Sequence, residues 1–407
     1  MAPASVVVDV AATEEAGMTT QASRNKAQIT RALLHGSAVA LLGSLGTEAQ
    51  AAAAPDAISL SVKTLSYQDY QADADRIDID AKAVQVVVPI AGEWSLSGTA
   101  VHDAISGASP RYHGNGLTSI VDTRNAYSAS IARYFRQDQI TAGYSYSKER
   151  DYVSRNYSLQ NAWSTADQNT TFTAGASYSA DEIIPNSIFL RTAKDKKVLE
   201  LVAGITQVLS QNDLAQISLR HSRGRGYFAD QYKLYDARPS TRDGDSLLMR
   251  WNHHFAGWDS TLHSSYRYYR DNYGINAHTF EFDYVINLPQ QWQLAPTLRY
   301  YSQTAADFYF DPVANDPFAD ADTVGAPISV VYGRYVDGLP ASMDQRLSAF
   351  GGLTVGVKLD KEINRHLSLD MKFEQFTQKG SWALGTGSPD LPTFHARSLQ
   401  FGFSYKY

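Results

Sequence analysis

The sequence predicts an all-β chain: a transmembrane, antiparallel, up-and-down β-barrel of about sixteen strands (14–18), with its N- and C-termini on the periplasmic side. Three observations predict it. Apolar and polar residues alternate with period two over most of Ala57 to Tyr407, the connections sort into short and long in alternation, and an export leader precedes the first strand.

The leader comes first. Arg24, Lys26 and Arg31 form a basic region, Ala32 to Leu45 a short apolar one, and Ala49-Gln50-Ala51 a small-residue cleavage site. The apolar run is shorter than the ~20 residues a spanning helix needs, and polar sequence follows it. Residues 1–51 therefore read as a signal peptide with an N-terminal extension, Met18 as the natural start, and 52–407 as the mature barrel. Composition agrees with export: 25 Tyr, 12% aromatic residues and no Cys suit strands with aromatic ends in an oxidising compartment. A net charge of -6 disfavours a nucleic-acid partner, which requires a basic face.

The strands follow. Leu199, Leu201, Ala203 and Ile205 alternate with Glu200, Gly204 and Thr206; His278, Phe280, Phe282, Tyr284 and Ile286 alternate with Thr279, Glu281 and Asp283; Leu347, Ala349, Gly351, Leu353, Val355 and Val357 continue the pattern. One wet face and one greasy face is what a half-solvated strand shows. A soluble sandwich would alternate equally well, and the links discriminate. Ile90-Ala91-Gly92, Arg136-Gln137-Asp138, Ser210 to Asp213, Ala256-Gly257 and Pro289-Gln290 are tight. The intervening links are mostly long, at 104–124, 180–196, 222–244, 306–345 and 379–396. Tight periplasmic turns and long outer loops are the outer-membrane arrangement. The chain stops on Phe401, Phe403, Tyr405 and Tyr407, an alternating aromatic strand of the kind presented to the barrel-insertion machinery.

Trp94-Ser95-Leu96-Ser97-Gly98-Thr99, followed by His102-Asp103-Ala104-Ile105-Ser106-Gly107-Ala108-Ser109-Pro110, resembles an uncharacterised family of proteobacterial outer-membrane β-barrel proteins, a domain of unknown function. The resemblance extends over most of the mature chain. It implies the barrel, and at most a role beside periplasmic flavin-transfer and thiol-redox proteins in an envelope redox pathway. It carries no catalytic residue.

Nothing in the sequence forms an enzyme's constellation: there is no Gly-x-Ser-x-Gly elbow, no His-Glu-x-x-His and no thiol. His102 and Asp103 are neighbours on a strand and point to opposite faces, as do His253 and His254. Asp307, Asp311, Asp316, Asp320 and Asp322 are candidate ion ligands, against the simpler reading of a solvated acidic loop. Arg220, Arg223 and Arg225, at the root of a long loop, are placed to meet lipid phosphates or water. Setting the greasy registers outward leaves Asp78, Asp80, Lys82, Glu200, Arg220, Arg250, His254, His263, Arg267, Glu281, Asp283, Arg299, Asp370, Lys372 and Glu374 lining the lumen. Three functions stay open: a pore for small polar or charged solutes, a non-conducting structural or docking barrel for a periplasmic partner, and, third, an outer-membrane hydrolase. The expected surroundings are outer-membrane lipids and lipopolysaccharide of a Gram-negative bacterium, with no cofactor.

Overall fold

The computed structural model describes residues 54–71, 74–110, 117–186, 190–233, 235–311, 328–389 and 391–407. Residues 1–51, expected from their sequence to be a leader, and Asp316, Asp320 and Asp322 lie outside them. Sixteen strands run in chain order: β1 (Ser59–Gln71), β2 (Ala74–Ile90), β3 (Trp94–Pro110), β4 (Leu117–Tyr134), β5 (Asp138–Lys148), β6 (Tyr152–Ser164), β7 (Thr170–Ile183), β8 (Lys194–Val208), β9 (Asp213–Gly226), β10 (Thr241–Phe255), β11 (Ser260–Asp271), β12 (Asn276–Leu288), β13 (Trp292–Gln303), β14 (Phe350–Asn364), β15 (Leu367–Lys379) and β16 (Phe394–Lys406). Each pairs antiparallel with the next, and β1 pairs with β16 from Ser59↔Lys406 to Gln71↔Phe394, so the sheet closes. Closure is what an apolar surround demands, because an open edge there leaves backbone donors and acceptors unpaired at several kcal/mol each.

The registers separate the two faces. On the outer face, Leu199 and Leu201 of β8 stand beside Tyr178 and Ala176 of β7, and Phe401 and Phe403 of β16 beside Met371 and Leu369 of β15. These large apolar side chains are exposed, Leu201 at 47% and Phe401 at 50%. A contiguous exposed apolar belt around a whole sheet is a surface for hydrocarbon, not for water. At the short-turn rim the belt ends in aromatic rings. Trp94 and Phe135 flank the Arg133 guanidinium, Trp163 stacks on Phe172, Trp258 on Phe255, and Trp292 takes the Lys361 ammonium.

Connections at the opposite rim differ from the sequence expectation in two places. The stretch 104–124 is mostly strand, since β3 runs to Pro110 and β4 starts at Leu117. The strands β2, β3 and β4 have 17, 17 and 18 residues, well beyond the ~10 a tilted crossing needs, so this sector projects past the belt. The long connections there are 184–193, 227–240, 304–349 and 380–393. β14 begins at Phe350, so Leu347 and Ala349, read as strand from their alternation, belong instead to the third of these loops, where both are buried. That loop carries α1 (Ile328–Val336). Where β9 ends, Gly226 adopts φ +121 and its Cα sits against the Asp195 carbonyl, a position that no Cβ fits.

Candidate functional site in the barrel lumen

The inner wall has three sectors. From β8 round to β16 it is charged. Glu200 takes the Arg220 guanidinium and a 3.3 Å bond from Ser177; Arg250 donates to Gln216 at 3.1 Å; Glu281 stands opposite Arg299 and His263 opposite Asp283. Thr297 donates to Asp283, Lys372 meets Glu374 at 2.9 Å, and Lys63 meets Asp370 at 3.7 Å. Arg267 is nearly buried, opposite Thr279, and His254 bonds Thr261 at 3.1 Å. Lys372 and Glu374 are two apart on β15, and the others are neighbours across strands brought together by register, with both signs present along the wall.

From β3 to β7 the inner wall at mid-height is built of small hydroxyl and amide residues. Ser128, Ser145 and Asn156 lie in one row, Ser130, Gly143, Ser158 and Ser177 in the next. Ser128, Ser158 and Gln160 are exposed, so this side of the lumen is open to water. Toward the long-loop rim these strands hold two buried ion pairs, Asp103 with Arg124 at 2.5 Å and Asp181 with Lys196 of β8, the carboxylate of the second bonded also by Tyr152 and Ser154.

The third sector overturns part of the sequence expectation. On β1, β2 and β16 the inward file is Lys63, Leu65 and Tyr67, against Ala83, Ala81 and Ile79 and against Gly402, Gln400 and Ser398. Ile77, Ile79, Ala81 and Ala83 are buried to 1% or less. Asp78, Asp80 and Lys82 therefore point outward, in file with the exposed Val84 and Val86, and are not lumen residues. The physical reason is height: above the belt the outer face meets water and the inner face is packed, so the rule that grease faces outward inverts along β2 between Lys82 and Val84. The other twelve lumen candidates lie on the inner face. Those the sequence missed include Lys63, Lys358 and Asp360, the last two bonded at 2.8 Å; the greasy register of β14, carried past Val357, was the signal for Lys358 and Asp360.

At the long-loop rim, loops fold together over this wall. Arg346 binds Asp230 at 2.6 Å and Asp344 at 2.8 Å, and Arg238 binds Asp236 and Asp344 at 2.8 Å each, all of them buried. Ala237 and Ala341 exchange backbone bonds of 2.9 Å, and Val331 of α1 packs with Ala341 and Met343. The cap is fastened to the inner wall: the Gln303 amide donates to the Ser348 carbonyl at 2.7 Å and the Arg346 carbonyl at 3.0 Å, while Leu347 and Phe308 pack with the inward Tyr269 and Ala277. Laterally it reaches Asp151, which accepts from Tyr232 at 2.8 Å, and Ser388, whose hydroxyl accepts from the Ala349 amide at 2.9 Å.

His102 faces out and bonds Asn125 at 2.9 Å while Asp103 faces in, so the pair shares no site. His253 faces out to Asp213 at 2.8 Å. Asp307 sits against Gly274, and Asp311 interacts with the Tyr309 hydroxyl, so these two acidic residues have separate neighbours. Among the described residues, the carboxylates with donor atoms within 4.8 Å of one another are instead Asp122, Glu149 and Asp151. Arg220 faces the lumen, whereas Arg223 and Arg225 face outward.

None of the curated protein sequences matches the chain. Among solved structures it is similar to a bacterial polysaccharide outer membrane secretin (8% identity, 86% of this chain and 99% of that one, TM-score 0.49). It is also similar to OccK2 (OpdF) of Pseudomonas aeruginosa in complex with glucuronate (10%, 86% and 98%, TM-score 0.43) and to CdiB from Acinetobacter baumannii (11%, 85% and 60%, TM-score 0.47). A family model described as "Protein of unknown function (DUF3570)" matches residues 117–405, beginning after the Trp94–Pro110 segment that forms β3. With most of its wall inside that match, the chain belongs to the DUF3570 family.

Proposed function

We propose that the protein is an outer-membrane pore of a Gram-negative bacterium, passing small polar or charged solutes through a water-filled lumen narrowed at one mouth by its folded loops. The observation that carries the reading is the inner wall: Arg250, Arg267, Glu281, Asp283 and Arg299 face inward across from a file of exposed hydroxyl residues. A sixteen-strand sheet encloses more space than side chains can fill. Charges of both signs make a passage that orients dipolar and zwitterionic solutes without a strong preference for one ion. The short-turn rim, where Ser59 meets Lys406, is then periplasmic, the loops face outside, and residues 1–51 are the cleaved leader.

The burial of Ile77, Ile79, Ala81 and Ala83 inside the barrel favours a second reading, a non-conducting barrel serving as a structural or docking element for a periplasmic partner. Single-channel recording of the detergent-purified protein in a planar bilayer separates the two. Stepwise conductance that scales with salt supports the pore; electrically silent protein that still migrates as a folded barrel supports docking. An outer-membrane hydrolase is the third reading, and the divergence of His102 and Asp103 removes its best pair.

A further inference from the structure

On the outer face of β8, β9 and β11 the apolar files give way, toward the long-loop rim, to cations, and on β10 to Asp245 and Asp243. Leu199 is followed by Lys197 on β8, Leu219 by His221, Arg223 and Arg225 on β9, and Tyr268 by Arg270 on β11. Of these, Arg223 and Arg270 are paired laterally. Arg223 lies 3.6 Å from Asp243, and Arg270 lies 3.3 Å from Asp245. Lys197 and Arg225 are different: they are direct cross-strand partners, both are exposed, and among the described residues neither has an ion-pair partner. Like charges directly opposite destabilise a sheet, so an unrelieved pair of cations here is a cost that an anion bridging the two would remove. Further toward the rim the outward residues are the carboxylates Glu182 and Asp195, which confine the cationic band to the level immediately above the grease. Outward cations also follow the grease on β2 (Lys82), β5 (Lys148) and β6 (Arg155), but none of these stands directly opposite another Lys or Arg.

We propose that Lys197 and Arg225, buttressed by Arg223, form a binding site for a phosphate group of a phosphorylated glycolipid in the outer leaflet. A phosphate directly above the acyl chains stands where this pair stands, and charge-assisted bonds from an ammonium and a guanidinium are the strong kind. The inference rests on the membrane reading above.

The test uses the full-length barrel purified in detergent and titrated with lipid A, with enzymatically dephosphorylated lipid A, and with phosphatidylglycerol, binding being read by native mass spectrometry. Lipid A is expected to bind in preference to the other two, and Lys197→Gln with Arg225→Gln to weaken it at least tenfold. The charge-keeping Lys197→Arg with Arg225→Lys is expected to retain it, and Asp78→Asn with Asp80→Asn to leave it unchanged. Equal binding of dephosphorylated lipid A, preference for phosphatidylglycerol, or an unaffected Gln variant would overturn the site while leaving the barrel intact. A chain that stays soluble without detergent would instead overturn the membrane reading itself.

Discussion

Arg346 shows how much one side chain in the cap carries. Its guanidinium is buried and shared between Asp230 and Asp344, with Arg238 completing the set on the other side of Asp344. Removing one member of a buried ion pair leaves its partner charged and dry, at a cost of about 3–5 kcal/mol. Arg346→Met is therefore expected to open the cap while the strand wall persists. Because the chain has no Cys, a single Val331→Cys in the buried face of α1 reports opening through its reaction with dithiodipyridine. Asp344 also sets a pH dependence. Burial alone pushes its carboxyl up, but Arg346, Lys233 and Arg238 outweigh that and hold it well below the ordinary carboxylate range. A depressed acid contributes stability that is present above its value in the open loop, ~4, and lost as pH falls toward its value in the closed one. The difference in cap opening between the native chain and Asp344→Asn is thus expected to be constant from pH 7 to about 5 and to shrink below pH 4; a difference that grew on acidification would contradict this charge state.

At the scale of the strand, facing decides the effect of a charge. Leu201 lies near the middle of the outward file of β8, and Val202, the next residue, faces the lumen. Leu201→Arg is expected to cost about 2–4 kcal/mol of barrel stability, as arginine does on a lipid face at mid-bilayer, and Val202→Arg much less. Urea unfolding in vesicles compares them, and equal losses would mean that β8 is read in the wrong register. This facing was legible in the sequence because Leu199 to Ile205 alternate without interruption. So were the strand count, since tight turns punctuate the chain, and the opposed directions of His102 and Asp103. The facing of Asp78, Asp80 and Lys82 was not legible, because period two gives two faces without saying which is wet, and the answer changes with height along β2. The cap was illegible for another reason: Arg346 and Asp230 are 116 residues apart, and no local pattern announces a pair that only closure brings together.

For the molecule as a whole, the cap and the wall make one electrical statement. Among the described residues, the inner wall offers cations such as Arg220, Arg250, Arg267 and Arg299 in rows with Glu200, Glu281, Asp283 and Glu374. Fields of opposite sign at such spacing largely cancel over a ~10 Å Debye length, so a cation-to-anion permeability ratio within a few-fold of one is expected from the reversal potential in a salt gradient. Arg250→Glu with Arg267→Glu changes the local charge by four and is expected to move that ratio several-fold toward cations. On the proposed pore reading, the cap imposes the resistance. Its segment Arg346–Ser348 is bonded to Gln303 and packed on Tyr269, both of which face the lumen, so it occupies space inside the mouth and not above it. Replacing residues 312–345 by a short flexible link removes Asp344 and α1 and leaves Arg346 with only Asp230 of its two carboxylate partners. Such a chain is expected to conduct at least twofold more than the native one, with the reversal potential unchanged because the charged wall remains. Higher conductance with an altered reversal potential would put the selectivity in the cap, and unchanged conductance would mean that the narrowest point lies deeper, beside the packed inner faces of β1 to β3.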